Sequence, residues 1–403
     1  MISIKQLYKI GPGPSSSHTI GPKNAVEYIL NKYTNFDFVE MTFFGSLAET
    51  GKGHLSDYIA DKTFKDVPHE IKFDYETRTR HPNTMLFRLF KEGEVIKEVV
   101  IESVGGGLIK VKGQKLEKEV CVYPHSTYDE IKAYCLENNL KLIDYIYKFE
   151  DQDIDKYMDK ILDTMLKSIE NGLKRDGLLP GKLKVARKAK ELYSNELVDE
   201  TLDMREKRLI SAYAFAVSEE NASGKLIVTS PTCGACGIVP SLVRYNMDKG
   251  VTREKIKEGL LIAGLIGVIV KHNASISGAE CGCQAEIGTA SSMGAGFLAS
   301  INGGDIFDIE RASEIALEHS LGLTCDPIEG YVQIPCIERN AIGANRSMMA
   351  YALSRFMGKK DSKISLDNVI RTMYFTGKDL NKSYRETARG GLAKTYTKRI
   401  KKI

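Results

Sequence analysis

The sequence predicts an α+β N-terminal domain followed by a mostly α-helical domain, on three observations. The first third of the chain holds short β-rich segments separated by Gly, Pro and Asn turn signals. From about Tyr128 the apolar spacing changes to the three-and-four period of helices, with few β-branched runs. At 403 residues the chain is also longer than one typical domain, and a division by roughly 150 residues gives two to three.

In chain order, Pro22 to Lys32 reads as a helix entered through a proline, a residue suited to a first turn. Phe38 to Phe44 reads as a strand, and Leu55 to Asp61 as a helix after a Gly-rich turn. Strands follow at Ile71 to Tyr75, Met85 to Phe90, Val95 to Ser103 and Leu108 to Val111, which together with the two helices make a small α+β layer unit. Glu130 to Asn138, Leu142 to Phe149 and Ile154 to Asn171 carry helical apolar periods. Helices then dominate to the C-terminus, broken by polar Gly-rich loops. The domain boundary is expected near residue 150, in the charged run Phe149 to Asp155, dividing 1–150 from 151–403. No internal repeat is visible.

Composition removes several classes of function. A hydrophobic fraction of 42% and a charged fraction of 27% exclude wholesale disorder. A formal charge of +4 is too slight and too dispersed for a nucleic-acid footprint, and the basic run Lys398 to Lys402 reads as a solvated end. The most apolar stretch, Gly259 to Val270, falls short of the ~18 residues that cross a membrane and is expected to be a buried helix. Met1 to Ile10 carries Lys5 and Lys9 and lacks the apolar core of a secretory signal, so a cytoplasmic location is expected. Eight cysteines in a reducing compartment point away from disulfides and toward metal, cluster or redox roles.

Four groups of residues carry chemistry. In Gly11-Pro-Gly-Pro-Ser-Ser-Ser-His-Thr19-Ile-Gly-Pro22, glycines let backbone N–H groups approach a ligand, prolines stiffen the loop, and Ser15, Ser16, Ser17 and Thr19 offer short donors for a carboxylate or phosphate. The same pattern also suits an ordinary Ser-rich helix entry. Gly45-Ser-Leu-Ala48 and Gly51-Lys-Gly-His54 follow a strand, and His54 is a candidate general base because imidazole titrates nearest neutrality. Gly51-x-Gly53 is too short for a P-loop, and Val104-Gly-Gly-Gly107 reads either as a phosphate cradle or as a bulge between strands. Cys283, Cys325 and Cys336 lie in three Gly- or Pro-punctuated loops, from which thiolates can be aimed at one centre; three ligands leave one position open for a substrate. Cys233-Gly-Ala-Cys236 has no second Cys-x-x-Cys to complete a zinc ribbon, and Cys121 and Cys135 are expected to be packing residues.

Together these residues closely resemble the bacterial iron-sulfur-dependent L-serine dehydratases, or L-serine ammonia-lyases, in their single-chain form. The resemblance runs in order through Gly13 to Thr19, Gly45 to His54, Ser103 to Gly107, Pro231 to Pro240, Ser275 to Gln284, Cys325 to Asn340 and Arg385 to Leu392, effectively the whole chain. It implies a β-type N-terminal domain similar to the allosteric substrate-binding fold and an α-type helical domain holding a [4Fe-4S] cluster on Cys283, Cys325 and Cys336. It further implies a carbon–nitrogen lyase of amino-acid degradation, which makes pyruvate, available to gluconeogenesis, and ammonia from L-serine. The open iron would act as a Lewis acid on the departing hydroxide, and a base would remove the α-proton.

His54 is the preferred base, with His18 and His125 as alternatives. Ser15, Ser16, Ser17 and Thr19 are expected on the substrate, joined by Ser277, Gly278 and Asn340. One departure is Cys233, which stands where the family usually has asparagine. Some members carry a C-terminal cysteine that plugs the open iron; this chain ends Arg399-Ile-Lys-Lys-Ile403 and is expected to lack that plug, as well as an ACT regulatory domain. A homodimer is the default expectation. Competing readings are a cysteine desulfidase-like or L-threonine-acting lyase of the same cluster type, a pyridoxal-phosphate dehydratase, and a serine or redox sensor switched by Cys233 and Cys236.

Overall fold

The computed structural model describes residues 1–114, 120–358 and 363–400, with side chains as far as 396. The basic run at 398–402 and the chain end at 399–403 lie outside the described side chains. An N-terminal unit of one sheet and its helices is followed by a mostly helical unit.

The sheet comprises β2 (Phe38–Phe44), β3 (His69–Asp74), β4 (Thr84–Lys91), β5 (Glu94–Gly105) and β6 (Leu108–Val111) in the order β3-β2-β4-β5-β6; β1 (Ile10–Pro12) lies apart from it. β2 and β3 are parallel and the other pairs antiparallel, with Met41 opposite Phe87 and Phe87 opposite Val99. Alternation explains the layer. Met41, Phe43, Met85, Phe87, Leu89, Val99 and Ile101 share a core with Ala25, Val26 and Ile29 of α1 (Gly21–Lys32) and with Ala60 and Phe64, two helices on. The opposite face carries Glu40, Arg88 and Glu98 as an ion-pair ladder, with Arg88 3.2 Å from Glu40 and 2.8 Å from Glu98. One apolar and one charged face are what a mostly antiparallel sheet with a single covered side requires.

After β2 the chain turns through Gly45 at φ +55° into the short α2 (Ser46–Thr50) and then α3 (Ser56–Phe64). A Cβ at Gly45 would lie 2.6 Å from the Pro82 carbonyl oxygen, so both the left-handed backbone and the space call for glycine. This turn delivers Ser46 and His54 to the end of the sheet.

The helical unit contains α4 (Tyr128–Glu137), α5 (Leu142–Phe149), α6 (Ile154–Lys174), α7 (Ala189–Ser194), α8 (Leu202–Ala222), α9 (Ile238–Asp248), α10 (Arg253–Asn273), α11 (Gly278–Cys281), α12 (Thr289–Ile301), α13 (Ile306–Glu318), α14 (Cys336–Phe356), α15 (Leu366–Asp379) and α16 (Gly391–Ile400). The run from Gly259 to Val270 is buried on every side, as its all-round apolar character requires, and among the described residues no helix is long and apolar enough to cross a membrane. Close packing onto α12 is set by glycine: a Cβ at Gly296 would lie 2.2 Å from Ile266.

Two arrangements differ from simple sequence order. Met1 to Tyr8 pack into the helical core, where the Tyr8 hydroxyl donates to the Leu260 carbonyl at 3.0 Å, and β1 pairs with β7 (Leu226–Val228). Helices α4 and α5, which precede residue 150, share that helical core through Tyr128, Ile131, Cys135, Leu142, Tyr145 and Ile146. Cys121 departs from its expected packing role: it is exposed, in an isolated bridge with Ile2, whereas Cys135 is buried.

Candidate active site

A cavity of about 790 Å³ lies where the sheet unit meets the helices. Its first wall is built by the Gly- and Ser-rich entry to α1. Ser15 caps a wide turn over Ser16–Ile20: its Oγ accepts from the His18 N–H at 3.2 Å, and its own N–H donates to Thr19 Oγ1 at 3.1 Å. Thr19 in turn donates to the His54 carbonyl at 2.8 Å. Thr19 is therefore a buried tie between two loops and does not line the cavity, whereas Ser15, Ser16 and Ser17 do.

The two histidines of this wall differ in their partners. His18 has Nδ1 2.9 Å from Ser17 Oγ and Nε2 3.0 Å from Ser46 Oγ, so both nitrogens are engaged. His54 has Nδ1 3.1 Å from the Thr50 carbonyl oxygen. A carbonyl only accepts, so Nδ1 carries the proton and Nε2 the lone pair. That Nε2 is buried without a hydrogen-bond partner among the described residues, in a side chain 2% exposed. Burial lowers the His54 pKa to about 4 against the opposing Thr50 contact. Burial, then the nearby His54, hold His18 well below the usual imidazole range. Both rings are neutral at pH 7, and their centroids are 4.7 Å apart.

The second wall comes from four helical-unit segments. Cys283 follows Gly282 at φ +75°. Cys325 is held by its N–H donating to the Tyr384 carbonyl and its carbonyl accepting from the Glu386 N–H, both at 2.7 Å. Cys336 opens α14. All three are buried and line the cavity, and Cys325 and Cys336 each interact with Cys283. The hydrogen bond to Cys283, then burial, push the Cys325 thiol up; burial, then the charge of Cys283, do the same to Cys336. Arg339, one turn along from Cys336, hydrogen-bonds Cys283 and is anchored 3.2 Å from Asp326. Three buried thiols facing one cavity, two of them (Cys325 and Cys336) pushed up toward the neutral form, with a guanidinium beside them, suit a metal centre, because bound metal favours the thiolate form.

Glu286 is the main residue that sequence reasoning missed. Its carboxylate and the sulfurs of Cys283 and Cys325 lie within 4.8 Å of one another, and Oε1 accepts from Thr232 Oγ1 at 2.7 Å. Burial raises its pKa. The available signal was position, since Glu286 stands three residues after Cys283. Ser46, Ser103 and Arg385 also line the cavity and were not singled out. Arg385 Nε is buried without a partner among the described residues.

The remaining expected residues divide. Ser277 and Gly278 line the cavity; a Cβ on Gly278 would sit 2.6 Å from Glu286 Oε2 and 3.0 Å from Cys325 Sγ. Asn340 lies behind it, taking the Gly237 N–H at 2.8 Å and donating to the carbonyls of Gly234 and Cys336 at 2.8 and 2.9 Å. It braces the Cys-x-x-Cys loop against α14 and does not line the cavity. The structure does not bring His125 there either: its Nδ1 is 3.0 Å from the Tyr145 hydroxyl, within a cluster with Tyr134 and Phe149. Cys233 lines the cavity, Cys236 is packed behind it, and Cys281 lies under Gly377 of α15.

Comparison with known proteins follows this geometry. Residues 3–61 match the family model of the serine dehydratase beta chain, and residues 69–393 that of the serine dehydratase alpha chain. An L-serine dehydratase of Helicobacter pylori is 40% identical, with 98% of this chain and 98% of that protein covered. L-serine dehydratase 1 of Escherichia coli K12 is 38% identical, covering 98% and 99%. An L-serine dehydratase of Haemophilus influenzae is 37% identical over the same shares.

Proposed function

This chain belongs to the serine dehydratase family, with beta-chain and alpha-chain units in one polypeptide, and from that premise we propose that it converts L-serine to pyruvate and ammonia. The observation that carries the reading is the lone pair of His54 Nε2, buried and without a partner among the described residues, in the same cavity as three buried thiols.

Each wall has a part. The hydroxyls of Ser15, Ser16 and Ser17 and the Arg385 Nε, which has no partner among the described residues, offer donors for the substrate carboxylate, which also offset the negative charge that develops when the α-proton leaves. His54 Nε2 takes that proton, because Nδ1 is already committed to Thr50 and the ring is neutral at pH 7. His18, bonded to Ser17 and Ser46, holds the serine loop against α2. Cys283, Cys325 and Cys336 would hold a [4Fe-4S] cluster, which when bound supplies a Lewis-acidic iron for the departing hydroxyl. Loss of that hydroxyl leaves aminoacrylate, which tautomerises and hydrolyses to pyruvate and ammonia. A cytoplasmic location and a homodimer belong to the same proposal, the homodimer as the commonest closed assembly.

The test is anaerobic iron and sulfide loading followed by a pyruvate assay on L-serine, L-threonine and L-cysteine. The expected outcome is about four iron and four sulfide per chain with pyruvate from L-serine fastest. Bound pyridoxal in place of iron, or a cluster-loaded protein that makes no pyruvate, would overturn the reading.

A further inference from the structure

We propose that Glu286 is the anionic contact for the substrate's α-ammonium group, an assignment that rests on the serine reading above. An amino acid enters as a zwitterion, and its ammonium group loses water on entering the cavity. It must find a charged acceptor there, since an unpaired buried charge is costly.

Four carboxylates line the cavity: Glu49, Glu280, Glu286 and Glu386. Glu49 is paired with Arg389 at 3.4 Å. Glu280 accepts from Lys378 and from Ser275, each at 2.8 Å. Glu386 accepts the backbone N–H of Ala279. Glu286 differs from Glu49 and Glu280 in hydrogen-bonding no cation among the described residues, and from Glu386, which also hydrogen-bonds none, in being grouped with the cysteine sulfurs. Among the described residues its hydrogen-bonding neighbours are Thr232, at 2.7 Å from Oε1, and Cys325, whose Sγ is 4.0 Å from Oε2. Both are uncharged in the form described; the Arg339 guanidinium acts on the carboxylate without hydrogen-bonding it, and the residue is half-buried, opening on the cavity.

Two further features single it out. Glycines flank the carboxylate: a Cβ on Gly234 would lie 2.8 Å from Oε1, and one on Gly278 2.6 Å from Oε2. Their missing side chains keep both oxygens uncovered. In serine the ammonium and the departing hydroxyl sit on adjacent carbons, so the ammonium acceptor must lie beside the thiols. Glu286 is the carboxylate grouped with Cys283 and Cys325 within 4.8 Å. His54 Nε2 and Arg385 Nε, buried and without a partner among the described residues, supply the complementary contacts for the α-proton and the carboxylate.

The test is equilibrium binding of two unreactive probes to the metal-loaded full chain under anaerobic conditions. L-Alanine keeps the ammonium and lacks the leaving hydroxyl; 3-hydroxypropanoate keeps the hydroxyl and lacks the ammonium. Glu286→Gln, which preserves shape, is expected to weaken L-alanine about tenfold or more and 3-hydroxypropanoate less than twofold. Glu286→Asp, which keeps the charge on a shorter arm, is expected to fall between, and supplies the comparison if the glutamine variant does not fold. Equal weakening of both probes makes Glu286 a structural residue and overturns the assignment, as does no change in either, or a wild type that does not prefer L-alanine. Pyruvate formation from L-serine is read separately. A wild type that shows Glu286-dependent L-alanine binding but makes no pyruvate keeps the ammonium contact and removes the reaction.

Discussion

The two walls of the cavity are built by opposite means. The N-terminal wall takes Ser15, Ser16, Ser17 and His18 from the entry to α1 and Ser46 and His54 from the turn at α2, neutral groups tied together by the hydrogen bonds of His18 and Thr19. The helical wall gathers Cys283 with Glu286, Cys325, Cys336 and Arg385 from segments distant in sequence; burial pushes up Glu286, Cys325 and Cys336, and the neighbouring Cys283 adds to the last two. The contrast teaches a division of labour. A pre-bonded neutral wall holds one lone pair in place for a proton, while a wall of coupled acids waits for positive charge to stabilise it.

Breaking the helical wall is expected to have the largest effect. Cys283→Ser, Cys325→Ser or Cys336→Ser each removes one of three thiols, and pyruvate formation is expected to drop to background together with the iron content of the purified chain. Breaking the N-terminal wall is expected to act differently. His54→Gln keeps the volume and removes the base, so kcat falls by about 10² to 10⁴ while iron content stays at the wild-type level.

The same wall makes stability depend on pH. His54 has a folded-state pKa of about 4 against 6.5 for the free imidazole, so the unfolded chain binds its proton first. Its contribution is complete above about pH 6.5 and is lost as pH falls toward 4, by roughly 3 kcal/mol. His18 acts in the same direction. Chemical unfolding from pH 7 to pH 4 should show a smaller acid loss in His54→Gln than in the wild type. The smallest effect is expected outside both walls: His125→Phe keeps an aromatic ring in the Tyr134–Tyr145–Phe149 cluster and should leave kcat/KM for L-serine within about twofold, since surface or isosteric changes away from the site usually cost little.

How much of this was legible follows the same contrast. The strand Phe38–Phe44 and the helix Leu142–Phe149 have the bounds their apolar periods indicate, because local pattern sets local structure. The serine loop, His54 and the three cysteines could be named because Gly, Pro, Ser, His and Cys mark such sites by type. What stayed hidden depends on partners distant in sequence. Ile10 pairs with Val228, and no local period records that choice. Thr19 and Asn340 have the chemistry of ligand contacts, but their hydrogen bonds are spent on His54, Gly237, Gly234 and Cys336. His125 is indistinguishable from His54 by residue type; only packing on Tyr145 sets it apart. Glu286 escaped notice because one acidic residue on a helical turn is ordinary until Cys325 is brought beside it.

The claim that the two walls serve one reaction is tested most directly by measuring iron content and L-serine-dependent pyruvate in the same anaerobic preparations of wild type, Cys325→Ser and His54→Gln. The account predicts that Cys325→Ser loses both iron and pyruvate, whereas His54→Gln retains iron and loses pyruvate. A His54→Gln protein that turns over L-serine at the wild-type rate, or a Cys325→Ser protein that does so without iron, would contradict it.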